Sequence, residues 1–225
     1  MTATAVLGIF AKQPIPGQVK TRLCPPLTPE LAARLYQCSL RETAHLAGLG
    51  DWRTVLFYQG DRRFFDRNFP DLPLAEQTGD DLGERLAQAF ASRFASGARQ
   101  VVIIGSDSPD LPAAIIRQAF AGLNDHDAVL APAGDGGYVL IGLRHPAPDL
   151  FRNIPWSTGE VLTATRKRML DMQLSCLELP EWHDVDDVAS LRQLMQRSPD
   201  SVTAQLATQL LDETVSGQPS IRPTR

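Results

Sequence analysis

Cysteine is scarce in this chain. Its three cysteines, Cys24, Cys38 and Cys176, form an odd, scattered set with no C-x-x-C pair. That spacing speaks against a disulfide framework and against a zinc site. It fits a reducing compartment in which Cys24 and Cys38 serve as small hydrophobes. An excess of positive charge is missing as well: 22 Lys and Arg against 26 Asp and Glu leave a net charge of −4. Such a balance argues against nucleic acid and against anionic membranes as partners, and it makes any local cluster of cations informative. Long apolar runs are lacking. The run from Ala5 to Ala11 has no basic segment before it and is too short for a signal peptide or a membrane span, so the sequence reads as a soluble cytoplasmic protein. No Ser-His-Asp or Cys-His arrangement stands out, which leaves covalent catalysis without support.

What is present is an alternation of short apolar runs with longer amphipathic ones. Strands are expected at 5–11, 54–59, 101–104, 127–132 and 174–179, with 133–143 a turn feeding a further strand. Helices are expected at 29–47 with Thr28 as N-cap, around Phe64–Phe69, from Asp81 to about Ala95, at 111–123, from about Glu160 to Met172 with Ser157 and Glu160 in capping-box register, and in two pieces separated by Pro199. This order predicts an α/β fold, a mostly parallel sheet with helices on both faces, as a single domain over 1–211 followed by a disordered tail, 212–225. The run V-V-I-I at 101–104 has the character of a central strand buried on both faces. It ends in G-S-D-S-P-D-L, which puts Asp107 at the carboxyl end of that strand, where ligands bind in open α/β sheets.

A carboxylate there suits a divalent cation that in turn holds phosphate oxygens; capping of the next helix by Asp107 or Asp110 is the alternative. The loop after the first strand, K-Q-P-I-P-G-Q-V-K-T-R-L, gathers Lys12, Lys20 and Arg22 around Gly17. It matches neither G-x-x-x-x-G-K-[ST] nor G-x-G-x-x-G. Its three cations nonetheless suit a diphosphate or triphosphate, with backbone amides around Gly17 as further anion contacts; a solvated basic loop is the alternative. Asp135, Asp184 and Asp186 are the other candidate metal carboxylates. Asp184 and Asp186 are spaced so that both project to one side of an extended segment. A turn role for Asp135, in the D-G-G of Asp135, Gly136 and Gly137, and an N-cap role for Asp186 compete with this. His183 beside Trp182 reads as structural. Trp156, in I-P-W-S-T, is either a core residue or an acceptor platform facing the cleft.

Taken together, F-A-K-Q-P-I-P-G-Q-V-K-T-R-L, G-D-D-L-G-E-R-L, G-S-D-S-P-D-L, P-A-G-D-G-G-Y-V-L-I-G-L, I-P-W-S-T and D-V-D resemble a bacterial transferase family over about residues 5–195. Its members are named as glycosyltransferases associated with radical-SAM and selenium proteins, within the nucleotide-diphospho-sugar transferase superfamily. Two of the segments, K-T-R-L and S-D-S-P-D-L, also resemble the guanylyltransferases acting on phospholactate and on the molybdenum cofactor. The resemblance implies a Rossmann-like glycosyltransferase A fold. It implies a nucleotide held at Lys12 to Arg22 and at Asp80 of G-D-D-L, and a magnesium or manganese ion on Asp107 with Asp184 or Asp186. The acceptor side would then comprise Asp135, Gly136, Gly137 and Trp156. A D-x-D at the central strand, usual in glycosyltransferases of this fold, is replaced here by Asp107 and Asp110 with a proline between them. The expected activity is nucleotidyl transfer from a nucleoside triphosphate to a small phosphorylated or acidic acceptor, with Lys20, Arg22 and Asp107 catalytic. Glycosyl transfer from a nucleotide sugar is the rival reading and a non-catalytic nucleotide-binding protein the third. A homodimer is left open.

Overall fold

The computed structural model of the protein describes residues 4–216. Seven strands make one sheet in the order β3-β2-β1-β4-β6-β5-β7: β1 Thr4–Lys12, β2 Arg53–Gln59, β3 Leu74–Glu76, β4 Ala98–Gly105, β5 Ala128–Pro132, β6 Tyr138–Leu143 and β7 Cys176–Glu178. The parallel pair β1–β4 lies at the centre, with Val6 beside Val101 and Phe10 beside Gly105. The sheet is mostly parallel. Only β6 runs against its neighbours, because it returns from β5 through a hairpin turn and so pairs antiparallel with both β5 and β4. The edge strand β3 escaped sequence reading because three residues after a proline carry no period.

Seven α-helices pack around this sheet: α1 Pro29–Ala47, α2 Arg62–Asn68, α3 Leu82–Ala95, α4 Ala113–Gly122, α5 Val161–Asp171, α6 Val188–Arg197 and α7 Val202–Ser216. Alternate residues of each strand feed opposite cores, as the pleat dictates. Leu7, Ile9, Val102 and Ile104 are buried against Leu40 of α1 and Ile115 and Ile116 of α4. Val6, Val101 and Ile103 are buried against Leu86 and Phe90 of α3 and Leu162 and Met169 of α5. On the outer side of α1, a third core joins Ala32 and Leu35 to Leu191 and Leu194 of α6 and Ala204, Ala207 and Leu210 of α7.

Helix ends follow the expected chemistry in part. Thr28 Oγ1 accepts from Leu31 N at 3.3 Å and Asp81 Oδ1 from Glu84 N at 2.8 Å. Two caps differ from expectation. Ser157 does not cap α5; it adopts a left-handed conformation, and Thr158 Oγ1 accepts from Glu160 N instead. Asp186 does not cap α6, because Asp187 does so in a reciprocal pair with Ser190. Helix α7 runs five residues beyond Leu211; the rest of the expected tail, 217–225, lies outside the described residues, as do 1–3.

One polar staple ties the third layer to the end of β4. Neither Asp107 nor Asp110 caps α4, whose N-cap is Pro112. Asp110 turns instead toward α6: its carboxylate accepts from Arg197 Nε and Nη2 at 2.7 and 3.1 Å, from Ser198 Oγ at 2.7 Å and from Trp182 Nε1 at 3.3 Å. The Arg197 guanidinium also lies 5.4 Å above the Trp182 ring. Burial alone would raise the Asp110 pKa, but the bonds from Arg197 and Ser198 outweigh it and hold it below the usual carboxylate range. Its stabilisation is therefore present above the unfolded-state value, about 4, and is lost as acid protonates the folded carboxylate. Asp110→Ala leaves a half-buried guanidinium unpaired and should cost about 2–4 kcal/mol at neutral pH. Urea unfolding of the variant checks this; an unfolding free energy within about 0.5 kcal/mol of wild type, the range of an ordinary surface substitution, would contradict it.

Candidate functional site

Strands β1 and β4 are buried on both faces, so their polar groups gather at the carboxyl ends. There a cleft of about 880 Å³ opens between the loop after β1, the loop after β4, the start of α3, the β5–β6 hairpin and the segment 156–161. A second hollow, about 950 Å³, lies at the opposite end of β4 beside Arg99, Asn124 and Arg144. It carries no comparable set of carboxylates facing cations, and Arg144 and His145 there already turn to Asp127, at 3.8 and 3.6 Å. The first cleft is the candidate site.

Its floor is set by α1. Tyr36 Oη accepts from the backbone N–H of Lys12 at 2.9 Å and shares a hydrogen bond with Ser106 Oγ at 2.8 Å, while Ser39 Oγ donates to Ser106 O. One tyrosine thus ties together the ends of both central strands. Burial pushes its hydroxyl up to about 12, so it stays protonated and acts as a fixed strut. Val185 N donates to Asp107 O at 2.9 Å, which brings the segment holding Asp184 and Asp186 alongside the end of β4.

Lys20 is the centre of the charge arrangement. Its ammonium lies 2.6 Å from Asp107 Oδ1 and 2.8 Å from Asp186 Oδ1, with only 9% of the side chain exposed. Burial would depress its pKa, yet the two carboxylates more than offset this and hold it above the ordinary lysine range. Its backbone is left-handed, which is unusual for lysine and lets the loop turn into the 3₁₀ turn at Thr21–Leu23. Lys12 and Arg22 line the same cleft as exposed cations, so of the three expected phosphate ligands two face solvent and one is engaged with carboxylates. Gly17 is not among the lining residues. It has a positive φ at the third position of the turn closed by Gln18 N to Ile15 O, after Pro16, a place where glycine is required.

Opposite stands an acidic group. Asp135, Asp184 and Asp186 each offer a carboxylate oxygen, all within 4.8 Å of one another. Three hard oxygen donors so close match the ligand chemistry of magnesium or manganese. Asp135 also plays its turn role, accepting from Gly137 N at 2.9 Å. Asp107 reaches the group through Lys20, which it shares with Asp186. Asp184 feels the crowding: burial first, then the charges of Asp186 and Asp135, push its pKa up to about 6. Asp80 lines the cleft with an exposed side chain, in a turn braced by Arg85, which donates to Gly79 O and Asp80 O. Trp156 is half-buried and packs against the core beneath α3 and α5. It packs so closely on α3 that a Cβ on Gly83 would fall 2.6 Å from its Nε1, and it still lines the cleft. Sequence reading missed Tyr36, Ser106, Gln77 and Arg85. Gln77 Nε2 donates to Ala11 O and Phe57 O, closing the ends of β1 and β2. These are single residues inside otherwise ordinary segments, and no spacing marks them.

The raised Asp184 value means that the folded protein keeps a proton which the unfolded chain has lost. This group therefore subtracts stability as pH rises from about 4 to about 6. A carboxyl titration followed by NMR should find Asp184 near pH 6, and Asp186→Asn should lower that midpoint by removing the nearest like charge. An ordinary midpoint near 4 in wild type would contradict the crowding.

Among proteins of known structure, the chain is similar to one from Desulfovibrio desulfuricans G20, provisionally named a nucleotide-diphospho-sugar transferase. The identity is 34%, covering 94% of this chain and 96% of that one, with a TM-score of 0.86. It shares its fold with the CMP:2-keto-3-deoxy-manno-octonic acid synthetase complexed with CTP, at 11% identity, 88% and 100% coverage and a TM-score of 0.56. It shares it also with the manganese complex of Rv0371c from Mycobacterium tuberculosis H37Rv, at 16% identity, 87% and 99% coverage and a TM-score of 0.50. These likenesses establish the Rossmann-like fold of nucleotide-diphospho-sugar transferase structures. No curated protein matches the chain in sequence. A family model matches residues 42–158, a stretch that includes Asp80, Asp107, Asp135 and Trp156, and the chain belongs to that family, described as an uncharacterized protein conserved in bacteria, DUF2064.

Proposed function

We propose that the protein is a divalent-metal-dependent transferase acting on a nucleotide-activated donor, and that the group transferred is a nucleotidyl group. The observation that carries this reading is the division of charge across one cleft. Exposed Lys12 and Arg22 stand on the loop after β1; Asp107, Asp135 and Asp186 line the same cleft, with Asp184 behind it and within 4.8 Å of Asp135 and Asp186. A nucleoside triphosphate needs both halves: cations for its outer phosphates and carboxylates for a metal shared with its inner ones. A bound magnesium or manganese ion would sit on those carboxylates and neutralise phosphate charge as a Lewis acid. The fold shared with a CTP-bound synthetase supports the same assignment.

On this reading an acceptor oxygen, from a small phosphorylated or acidic molecule, attacks the α-phosphorus. The bond to the β-phosphate oxygen breaks and pyrophosphate leaves. Lys12 and Arg22 hold the departing charge, Arg22 through its forked donors. Asp80 on the α3 side contacts the nucleoside, and Trp156 with the Asp135–Gly137 turn borders the acceptor. The chain supplies position and field and no nucleophile of its own. The second reading, glycosyl transfer from a nucleotide sugar, is favoured by the name of the Desulfovibrio relative. It puts less charge on the β1 loop, because a nucleoside diphosphate leaves and stays beside the metal. We place the protein in the cytoplasm; among the described residues no helix is long and apolar enough to cross a membrane.

The two chemistries part at Arg22. Under nucleotidyl transfer, Arg22→Ala should cost about 2–4 kcal/mol of transition-state stabilisation, mostly in kcat, because charge grows on pyrophosphate as the bond breaks. Release of pyrophosphate and of nucleoside diphosphate should be followed side by side, with pooled nucleotides, nucleotide sugars and acceptors, in wild type and variant. Diphosphate without pyrophosphate, together with an indifferent Arg22→Ala, would hand the assignment to glycosyl transfer. Calorimetry adds a second check. Triphosphate binding should need magnesium and should weaken in Asp107→Asn; equal affinity with chelator and in the variant would remove Asp107 from the metal's surroundings.

A further inference from the structure

We infer that Lys20 is an internal counter-ion which competes with a divalent cation for Asp107 and Asp186, so that metal and polyphosphate bind cooperatively. This rests on the proposed nucleotide-dependent transfer and adds a device that regulates its site. Three observations carry it. First, the Lys20 ammonium bridges Asp107 and Asp186 at 2.6 and 2.8 Å, in a side chain only 9% exposed. Second, Asp186 has two claims upon it: it is an acceptor for Lys20 and one corner of the oxygen set it forms with Asp135 and Asp184. A divalent cation on that set therefore meets a buried positive charge already bonded to one of its ligands. Third, the lysine can be drawn off without rebuilding the loop. Val19 and Leu23 are buried on either side of it, Val19 beside Ala33 and Tyr36, and they anchor the backbone, while Lys20 itself lines the cleft where a ligand would lie.

The exposed cations on the same loop, Lys12 and Arg22, show where a polyphosphate would come to rest. A polyphosphate there offers Lys20 new acceptors. As the ammonium turns to them, Asp107 and Asp186 lose their counter-ion and gain affinity for the cation. The coupling is reciprocal: whatever factor the polyphosphate contributes to metal binding, the metal contributes to polyphosphate binding. Metal without substrate is then held weakly, and the charged set is completed only when both are present.

The test uses the full chain with Mn2+ and inorganic tripolyphosphate as probes. Mn2+ alone should bind Lys20→Met at least tenfold more tightly than wild type, by calorimetry or by electron paramagnetic resonance of the free ion. Tripolyphosphate should raise Mn2+ affinity at least tenfold in wild type, corrected for the separately measured Mn2+–tripolyphosphate equilibrium, and should raise it far less in Lys20→Met. A lysine that is only a phosphate ligand, or only structural, leaves Mn2+ affinity in the folded variant unchanged or weaker, and that result overturns the proposal. Should Lys20→Met fail to fold, the wild-type coupling factor decides alone, and a factor near one overturns it. Failure of the transferase reading looks different: tripolyphosphate and nucleotides would bind neither protein, while the Mn2+ difference between wild type and Lys20→Met would persist.

Discussion

A strand buried on both faces has no side on which to display a polar group, and two such strands, β1 and β4, make the centre of this sheet. Every polar residue that the centre contributes must therefore appear at a strand end. The hydrogen bonds of Tyr36 to the ends of both strands show how the protein meets that constraint. They satisfy a backbone amide and a buried serine at the point where the ladder stops, and so define the floor on which the charged residues stand. The cationic loop leaves from one strand end and Asp107 from the other, and their separation is fixed by the pairing of Phe10 with Gly105.

Much of this was legible in the sequence, for reasons that can be named. The run V-V-I-I is continuous because both faces are buried, and that continuity marks β4 as central; Asp107 then follows from its position alone. The alternation of elements is enough to predict the mostly parallel sheet. What stayed hidden is what depends on distance in space. Nothing local tells that Lys20, among three cations of one loop, turns inward to a carboxylate 166 residues away. Asp135 lies in a plain turn sequence, and only the hairpin and the segment before α6 bring it to Asp184 and Asp186. The two misassigned caps have one cause. In both the helix begins later than the capping residue expected: α5 starts after Glu160 with no side-chain cap, and α6 after Asp187, which caps it with Ser190.

The third layer gives the acidic group its stability. Among the described residues none after Val188 lines the cleft, yet α6 and α7 hold the segment from which Asp184 and Asp186 project. Arg197 grips Asp110 from one side, and Glu42 of α1 caps α7 through Val202 N and Thr203 N from the other. Two carboxylates repelled by a third are thus kept in place by the hydrophobic packing of helices outside the cleft lining. Substitutions in that layer belong with the site in their effects, although they lie outside it.

The contact between the β5–β6 turn and the segment before α5 closes one side of the cleft with backbone alone. A Cβ on Gly136 would fall 2.1 Å from Gly159 O, and Leu162 N donates to Gly136 O at 2.8 Å. The two loops are in backbone contact, with no side chain between them to swing aside. Together they form one wall of the cleft, joined to the sheet by the hairpin on one side and to α5 on the other. Across the cleft from it lies the proline-bounded loop after β1, which bears the exposed Lys12 and Arg22 and is anchored by buried Val19 and Leu23.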